Sequence, residues 1–425
     1  MRTIDLRDDP HAPIPRPLTG DEAGGSALAA VREVIARVRQ GGDAALIELT
    51  ERFDGARLDA LRVPEEEIKA AAASAPDALL DAIHEAAARI RAFAEHQRIA
   101  PWTATIGGAT VGETVQALGR AGMYVPGGRA AYPSSVLMCA IPASVAGVAE
   151  VALCTPPAAD GSVPAPTLAA AQVAGVTEVY RVGGAQAIAA MAYGTASIPA
   201  VEVIVGPGNI YVALAKREVA GVVQIDNVAG PTEIAIVAGE GVDPVIVAAD
   251  LIAQAEHGPN GSFPLITWER ELVPAVEAIV ARTLDDIGAG PELRTILEQG
   301  CCAVLVAGLD QAVEAAERFA PEHVELIFDG AEEVASHLRN AGAIFVGPWS
   351  PVSLGDYLAG SNHVLPTAAS ARFASGLRTS HFQRTSAVIV ATRESLAAAR
   401  PHVAAFAGAE GLPNHARAVD ARFHE

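Results

Sequence analysis

Aromatic side chains are scarce in this chain of 425 residues, at 4%, although 51% of the residues are hydrophobic. Ala, Val and Ile therefore supply most of the apolar surface, a balance that suits helices packed on a buried parallel sheet. Basic residues are also few, since 30 Lys and Arg stand against 50 Asp and Glu, for a formal net charge of −20. Because a surface of this charge repels phosphate backbones, the composition argues against nucleic acid as a partner.

Cysteines are few, and the chain has no run suited to crossing a membrane. The four cysteines show no CxxC spacing, and we interpret the adjacent Cys301 and Cys302 as reduced core residues. No apolar signal region opens the chain, which begins MRTIDLRDDP. The longest uncharged run, 130–149, includes Pro133 and Pro142, which predicts a buried loop and helix instead of a membrane span. We therefore expect a soluble, cytoplasmic protein that binds no membrane.

The spacing of the apolar residues predicts an α/β protein. Residues 26–98 show helical spacing, whereas from about residue 120 short apolar strands end in glycine-rich turns and lead into helices. Repeats of strand, turn and helix form parallel sheets with right-handed crossovers. We predict two related open parallel-sheet domains, each an incomplete Rossmann-like unit, with an N-terminal helical region and a C-terminal helical appendage. The four segments are 1–119, 120–232, 233–377 and 378–425.

The predicted strands of the two sheets follow from these turns. In the first domain they are 122–125, 149–154, 178–182 and 202–205. In the second domain they are 233–237, 303–306, 324–328 and 343–346. The appendage is predicted to contain one strand at 387–391 and helices at about 394–406 and 412–423.

Four short segments of the second half each combine a histidine with an acidic or amide side chain. Gln254 and His257 lie three apart at the end of a predicted helix, 245–255, so they share a face and could hold one side of a divalent cation. A surface Gln beside a C-capping His is the alternative. Asp356 and His363 flank a predicted turn, and their oxygen and nitrogen donors suit Zn²⁺ or Mn²⁺. Asp356 could instead be a helix N-cap.

The other two segments contain candidate proton carriers. Glu322 and His323 precede a predicted strand and can both reach a pocket from the loop before it. A His is the natural general base for an alcohol proton, and a Glu can activate water; a buried hydrogen-bonded pair is the alternative. Glu410 and His415 lie in the appendage, where His415 could equally be a surface residue. Convergence of the four segments favours a metal-centred catalytic site.

Three glycine-rich turns of the first domain indicate a nucleotide cleft. They lie at 127–128, 183–184 and 206–208, after strands and before helices. Helix N-termini at such turns offer free N–H groups to a phosphate. None of the turns matches GxGxxG, so the usual dinucleotide fingerprint is absent.

Together, these segments resemble the histidinol dehydrogenase family through nearly the whole chain. The matching motifs are GMYVPGGRAAYPSSVLM at 122–138, VGGAQAIAA at 182–190, VGPGNIYV at 205–212, AGPTE at 229–233, QAEHG at 254–258, APEHVEL at 320–326, SLGDYLAGSNHVLPT at 353–367 and AEGLPNHA at 409–416. So many motifs in the right order make the resemblance specific. It implies a zinc enzyme that oxidises L-histidinol through L-histidinal to L-histidine with two NAD⁺, the last step of histidine biosynthesis.

The resemblance also implies a role for each site residue. His323 would be the general base, and Glu322 would activate the water that attacks the aldehyde. The ligands of one Zn²⁺ per subunit would be Gln254, His257, Asp356 and His415. The substrate contacts would be Thr232, Gln254, His257, His323, Asp356, His363, Glu410 and His415. The NAD⁺ contacts would be Tyr124, Gln186 and Asn209.

The resemblance further assigns roles to the predicted segments. Residues 120–232 would bind NAD⁺, and residues 233–377 would bind metal and substrate and pack with the N-terminal region. The chain would form a homodimer in which the appendage crosses to the partner, so that Glu410 and His415 complete the neighbouring site.

Four points qualify this interpretation. Thr232 stands where the family pattern usually has Ser, which keeps the hydroxyl and adds a methyl group. A zinc- and NAD-dependent dehydrogenase of another small amino or sulfonated alcohol is the alternative within the scaffold, but the carboxylate of Glu410 would repel a sulfonate. A non-catalytic zinc or nucleotide-binding protein would not need Glu322 and His323. A thioester role for Cys139 or Cys154 becomes unnecessary once a Glu activates water.

Overall fold

The computed structural model of this chain describes residues 1–16, 24–128, 130–228 and 230–423. Positions 129 and 229 of the motifs quoted above, and residues 424–425 of the appendage, lie outside the described residues. The strands are β1 Arg2–Asp5, β2 Trp102–Ile106, β3 Ala109–Ala117, β4 Arg120–Tyr124, β5 Glu150–Thr155, β6 Glu178–Arg181, β7 Val203–Val205, β8 Gln224–Ile225, β9 Ile234–Ala238, β10 Phe263–Thr267, β11 Cys301–Leu305, β12 His323–Ile327, β13 Ala343–Val346 and β14 Gln383–Val390. The α-helices are α1 Gly24–Asp54, α2 Glu65–Ser74, α3 Asp77–Glu95, α4 Pro133–Ala146, α5 Ala165–Ala174, α6 Gly184–Tyr193, α7 Ile210–Val219, α8 Pro244–Ala255, α9 Leu272–Asp286, α10 Pro291–Gly300, α11 Leu309–Phe319, α12 Ala331–Ala335, α13 Val352–Tyr357, α14 Arg393–Ala409 and α15 Pro413–Asp420.

The two parallel sheets share one topology. The first sheet has the order β6-β5-β4-β7-β8, and the second has β11-β10-β9-β12-β13 with β1 added beside β11. Counted from its own first strand, each core sheet therefore has the order 3-2-1-4-5. The order reverses between β4 and β7 in the first sheet and between β9 and β12 in the second, as in a truncated Rossmann arrangement. The prediction of two related, incomplete Rossmann-like α/β domains is confirmed.

The predicted strands lie close to the observed ones, but some strands were missed. The predicted strand at 343–346 coincides with β13, and that at 324–328 begins one residue after β12 does. Sequence analysis missed β10, a buried central strand that contains Pro264. Because proline lacks the N–H of a strand ladder, residue type argues against a central strand there. The four-residue edge strand β1 was missed as well.

The N-terminal helices pack against the first domain. Helix α1 contacts α6 and α7, while α2 and α3 contact α4 or α5, which flank the first sheet. The prediction that residues 1–119 pack with the metal and substrate domain is therefore wrong for these helices. Strand β1, which lies in the described part of that region, does join the second sheet, where it pairs in parallel with β11. Apolar spacing shows which face of a helix is buried, but it does not show which sheet covers that face.

A third, antiparallel sheet joins two strands of the N-terminal region to the strand of the C-terminal appendage. Strands β2 and β3 form a hairpin around Gly107 and Gly108, whose φ angles are 59° and 78°, and β14 pairs with the other edge of β3. The N-terminal region is thus not all helical, and a Gly-Gly pair between alternating strands is the signal that identifies such a hairpin. The predicted strand at 387–391 corresponds to the second half of β14.

The central strands of both parallel sheets are deeply buried, as the Ala, Val and Ile content suggests. Every residue of β9, β10 and β12 is buried. All four cysteines are free and lie in these cores. Among the described residues, no helix is both long and apolar enough to cross a lipid bilayer.

A candidate active site at the amino edge of the second sheet

The predicted catalytic and metal-binding side chains, apart from His415, meet where the strand order of the second sheet reverses. Thr232 and Glu233 precede β9, and Glu322 and His323 lie at the start of the neighbouring strand β12. Helices α8 and α13 run back toward the same edge and carry Gln254 and Asp356 near their last turns. The site therefore forms at the amino ends of parallel strands, opposite to the usual carboxyl edge of such sheets.

His323 is held in one tautomer by the backbone of the neighbouring strand. Its Nδ1 lies 2.9 Å from the carbonyl oxygen of Glu233, and the backbone N–H of His323 donates to the same oxygen at 3.1 Å. Since a carbonyl oxygen can only accept, Nδ1 carries the proton and Nε2 has a free lone pair. The side chain is buried. The imidazole is thus oriented so that Nε2 can accept a proton from a bound hydroxyl group.

A chain of hydrogen bonds joins Gln254, Thr232 and Glu322. The Gln254 amide donates to Thr232 Oγ1, and that hydroxyl donates to Glu322 Oε2 at 2.8 Å. Glu322 Oε2 also accepts the N–H of Glu233 at 2.9 Å. With Oε2 bound twice, Oε1 is the oxygen that remains to take a proton from water. The hydroxyl at position 232 is needed to relay this chain, and Thr232 provides it.

The same chain leaves the carboxamide oxygen of Gln254 to act as a ligand. Because the amide nitrogen is turned to Thr232, Oε1 points away, and it accepts no hydrogen bond from the described residues. His257 Nε2 lies 3.6 Å from Asp356 Oδ2. Two donors bound to one tetrahedral zinc at about 2 Å would stand about 3.4 Å apart. The spacing of His257 and Asp356 therefore fits two ligands of one zinc, and the amide oxygen of Gln254 is a candidate for a third.

The negative charge of Asp356 in this pair suits a cation. Contact with Asp356 raises the pKa of His257 above its usual value, against the opposing effect of burial. Burial alone would raise the pKa of Asp356, but His257 and the other imidazoles nearby lower it. Asp356 is therefore ionised at neutral pH. The His257 side chain is 44% exposed, so this side of the site is open.

The appendage residues do not reach this site within the described chain. Glu410 is the C-cap of α14 and His415 lies in α15, and both side chains are exposed. Within residues 230–423, no hydrogen bond or ion pair joins either of them to Gln254, His257 or Asp356. Among the described residues, no three His, Cys, Asp or Glu side chains form a metal-binding group. Glu410 and His415 are therefore not brought to Gln254, His257 and Asp356 within the described chain.

His363 connects the site to the first domain. Its Nδ1 lies 2.9 Å from the carbonyl oxygen of Asp356, and its Nε2 lies 3.1 Å from Ser135 Oγ at the start of α4. The carbonyl fixes the proton on Nδ1, so Ser135 donates to Nε2. Burial lowers the pKa of His363, which keeps it neutral. Both ring nitrogens are thus bound within the chain, and a substrate contact of His363 stays a prediction.

The predicted cofactor residues lie at the carboxyl edge of the first sheet. Tyr124 ends β4, and its hydroxyl oxygen accepts the N–H of Gly184 at 3.2 Å. Burial raises the pKa of Tyr124 to about 12, so the hydroxyl stays protonated. Gln186 is buried in the first turn of α6. Asn209 caps α7, where its side-chain oxygen accepts the N–H groups of Tyr211 and Val212. That bond leaves the Asn209 amide nitrogen for a ligand.

A buried ion pair shapes the turn before Asn209. Gly206 has a φ of 113°, and a Cβ there would overlap the carbonyl oxygen of Tyr124. Its N–H donates to Asp226 at 2.8 Å, and its carbonyl oxygen accepts from Lys216 at 3.0 Å. Asp226 and Lys216 are themselves paired and buried. Glycine and both charges together fix this turn.

Sequence reasoning missed several residues that build the site. Glu233 acts through its backbone, so no side-chain pattern could identify it. Ser135 lies 228 positions from its partner His363, and the pair Lys216–Asp226 closes around the backbone of Gly206, so these partners emerge only with the fold. The Cys154 thiol is buried, which raises its pKa to about 12. A protonated thiol is a poor nucleophile, so this residue shows no sign of covalent chemistry.

Comparison with known proteins covers the whole length of the chain. A family model described as histidinol dehydrogenase matches residues 19–423. A histidinol dehydrogenase of Geobacillus kaustophilus (strain HTA426) is 48% identical over 397 residues, which cover 93% of this chain and 94% of that protein. One from Synechococcus sp. is 48% identical over 408 residues, covering 95% and 94%. The crystal structure of histidinol dehydrogenase from Elizabethkingia anophelis matches with a TM-score of 0.91 at 32% identity, covering 100% of this chain and 98% of that one.

Proposed function

This chain belongs to the histidinol dehydrogenase family, a family of oxidoreductases in histidine biosynthesis, and from that premise we propose that it oxidises L-histidinol through L-histidinal to L-histidine with two NAD⁺. The single observation that carries the proposal is the arrangement of His323 and Glu322. His323 is a base with Nε2 free, and Glu322 is a carboxylate with Oε1 free. The nearest atoms of the two side chains, His323 Nδ1 and Glu322 Oε2, lie 3.5 Å apart. An alcohol oxidation followed by an aldehyde oxidation needs both groups.

The proton transfers can be assigned to these two side chains. In the first oxidation His323 Nε2 takes the proton of the substrate hydroxyl as hydride leaves the same carbon. Glu322 Oε1 then takes a proton from the water that adds to the aldehyde, while His323 returns its own proton to the aldehyde oxygen and becomes a free base again. In the second oxidation His323 removes the hydroxyl proton of the resulting hydrate. NAD⁺, when bound, supplies the hydride acceptor for both oxidations.

We propose Zn²⁺ as the bound metal, held by Gln254, His257 and Asp356 of one chain and His415 of another. Nitrogen and oxygen donors of this kind suit zinc. When bound, the metal would orient the imidazole and amine of the substrate. Tyr124, Gln186 and Asn209 would contact NAD⁺. Thr232 is also proposed to line the substrate site, since its hydroxyl lies between Gln254 and Glu322.

We propose that the chain is a homodimer with shared sites. Phe406 and Leu412 of the appendage are exposed, at 71% and 42%, as is Ile389 of β14, at 73%. Exposed apolar side chains of this size are typical of protein interfaces. His415 and Glu410 would then reach the partner's site. The free, buried cysteines support a reducing compartment, and we propose a cytoplasmic location.

The test of the activity counts NADH per molecule of L-histidinol consumed. We expect two NADH for each histidinol, loss of activity on chelation and recovery with added Zn²⁺. An amino alcohol without the imidazole serves as the matched substrate control and should be oxidised poorly. Absence of NADH formation with L-histidinol would refute the proposed substrate, and preferential oxidation of a sulfonated alcohol would favour the alternative within the scaffold.

Mixing two inactive variants should restore activity if sites are shared. A His415→Ala chain keeps Glu322, and a Glu322→Gln chain keeps His415, so a heterodimer contains one intact site of its two. We expect purified heterodimers, selected by two different tags, to convert histidinol to histidine in the steady state, while each variant homodimer forms histidine very slowly. Heterodimers without activity would contradict the crossing of the appendage.

A further inference from the structure

Two buried carboxyl groups lie directly behind the candidate site. Glu325 follows His323 by two residues on β12, so both side chains lie on the same face of the strand. Asp250 precedes Gln254 by four residues on α8, so these also share a face. The Asp250 carboxyl faces the Glu325 carboxyl closely enough for each to shift the pKa of the other. The contact therefore connects the strand of the base to the helix that carries Gln254.

The second oxygen of Glu325 binds a third element. Oε1 accepts the N–H of Val352 at 2.9 Å, in the first turn of α13. That helix carries Asp356 one turn later. One side chain, 2% exposed, thus contacts both α8 and α13 from β12. Three elements that carry site residues meet at Glu325.

The pair can exist only if it holds a proton. Two ionised carboxylates have no hydrogen to share, so one of them must be protonated and donate to the other. Glu325 Oε2 is buried, and no N–H or hydroxyl group of the described residues reaches it. Burial first, and then the adjacent Asp250, raise the pKa of Glu325 to about 9. Glu325 is therefore the neutral member at pH 7.

The surroundings of Glu325 offer no compensating charge. Its neighbours across the sheet are Ile236 on β9 and Phe345 on β13. From α8 the facing group is Asp250, and from α13 it is the N–H of Val352. No cation among the described residues lies beside the pair to replace the shared proton.

We propose that Glu325 and Asp250 are positioning residues that, through one shared proton, fasten α8 and α13 to β12 and so set the spacing of Gln254, His257 and Asp356 around His323. The proposal deepens the proposed function and rests on it for the identity of the metal ligands. Groups that orient metal ligands without touching the metal commonly change metal affinity or activity by about 10- to 100-fold when removed.

The decisive comparison is between Glu325→Leu and Glu325→Gln. Leucine removes both hydrogen bonds. Glutamine can form both hydrogen bonds without the shared carboxyl proton, because its NH₂ group donates to Asp250 and its oxygen accepts from Val352. We expect the leucine variant to weaken Zn²⁺ binding by at least about 10-fold and to lower kcat similarly. The glutamine variant should stay within about 3-fold of wild type in both. Glu298→Leu, at an exposed position on α10, is the control for loss of a carboxylate.

Hydrogen exchange of the metal-free protein provides a readout independent of metal and substrate. Amides of 250–257, 322–327 and 352–358 should exchange faster in Glu325→Leu and at the wild-type rate in Glu325→Gln. Unchanged zinc affinity and exchange in the leucine variant, or equal damage by glutamine, would overturn the proposal. If Glu325→Leu does not fold, Asp250→Leu, at the half-buried partner, gives the same comparison. If the wild-type chain does not oxidise histidinol or does not bind zinc, the proposed function is refuted. The exchange data would still decide whether Glu325 and Asp250 position the three elements.

The shared proton also gives the comparison a pH dependence. A carboxyl whose pKa is raised in the folded state stabilises the fold fully below its ordinary pKa, and this contribution is lost as pH rises through the folded value, here about 9. Glu325→Gln has no such loss. We therefore expect the Tm of the glutamine variant to rise relative to wild type between pH 6 and pH 9. A constant difference over this range would contradict the shared proton.

Discussion

Replacing His323 with Asn should reduce oxidation of both histidinol and histidinal by about 10²- to 10⁴-fold, the usual contribution of a general base. Asparagine can still donate to the Glu233 carbonyl oxygen, but it has no nitrogen that accepts a proton at neutral pH. Both oxidations need a proton removed from a hydroxyl group, so both should slow together. Zinc binding should persist, because His323 is not among the proposed ligands.

Single-turnover NADH formation with each substrate, together with zinc content, measures this effect. His337→Asn is the matched control, because His337 is exposed and lies outside the site. Retention of a tenth or more of the wild-type rate in His323→Asn would refute the assignment of the base. Loss of zinc together with activity would instead point to His323 as a ligand.

Glu322→Gln should separate the two oxidations. The N–H of Glu233 and the hydroxyl of Thr232 both donate to Glu322 Oε2, so the oxygen of a glutamine must occupy that position. The NH₂ group then occupies the place of Oε1, where it can donate but cannot take a proton from water. We expect aldehyde oxidation to slow by about 10²-fold or more, while the first hydride transfer slows much less.

Pre-steady-state traces started from histidinol and from histidinal distinguish the two steps. The variant should release one NADH quickly from histidinol and the second slowly. Glu332→Gln, at an exposed position on α12, controls for loss of a carboxylate. Equal slowing of both steps would contradict the assignment of Glu322 to water activation.

The sequence predicted the parallel sheets well, because buried strands of Val, Ile and Ala stand out between glycine-rich turns. It did less well where strands are exposed or short: β2 and β3 carry threonines and glycines with few buried positions, and β1 has four residues. The sequence also could not predict which sheet each N-terminal helix packs against, since the apolar faces of α1–α3 could have covered either sheet.

Within the site, the chemical roles of the residues could be predicted from their types, but their arrangement in space could not. Glu322 and His323 were recognisable as acid and base, and the structure places them side by side. The tautomer of His323 depends on a backbone oxygen of Glu233, which no side-chain pattern reveals. Glu325 was predicted only as part of an apolar strand, because its partner Asp250 lies 75 positions earlier in the chain. Contacts between distant segments are a property of the fold.

The two sheets place their proposed ligands at opposite edges, and this has an electrostatic consequence. At the carboxyl edge of the first sheet, α6 and α7 begin, and helix N-termini carry a partial positive charge. That end of the macrodipole suits the diphosphate of a dinucleotide. At the amino edge of the second sheet, α8 and α13 end, and helix C-termini carry a partial negative charge. One topology used twice thus provides an anion-attracting edge and a cation-attracting edge.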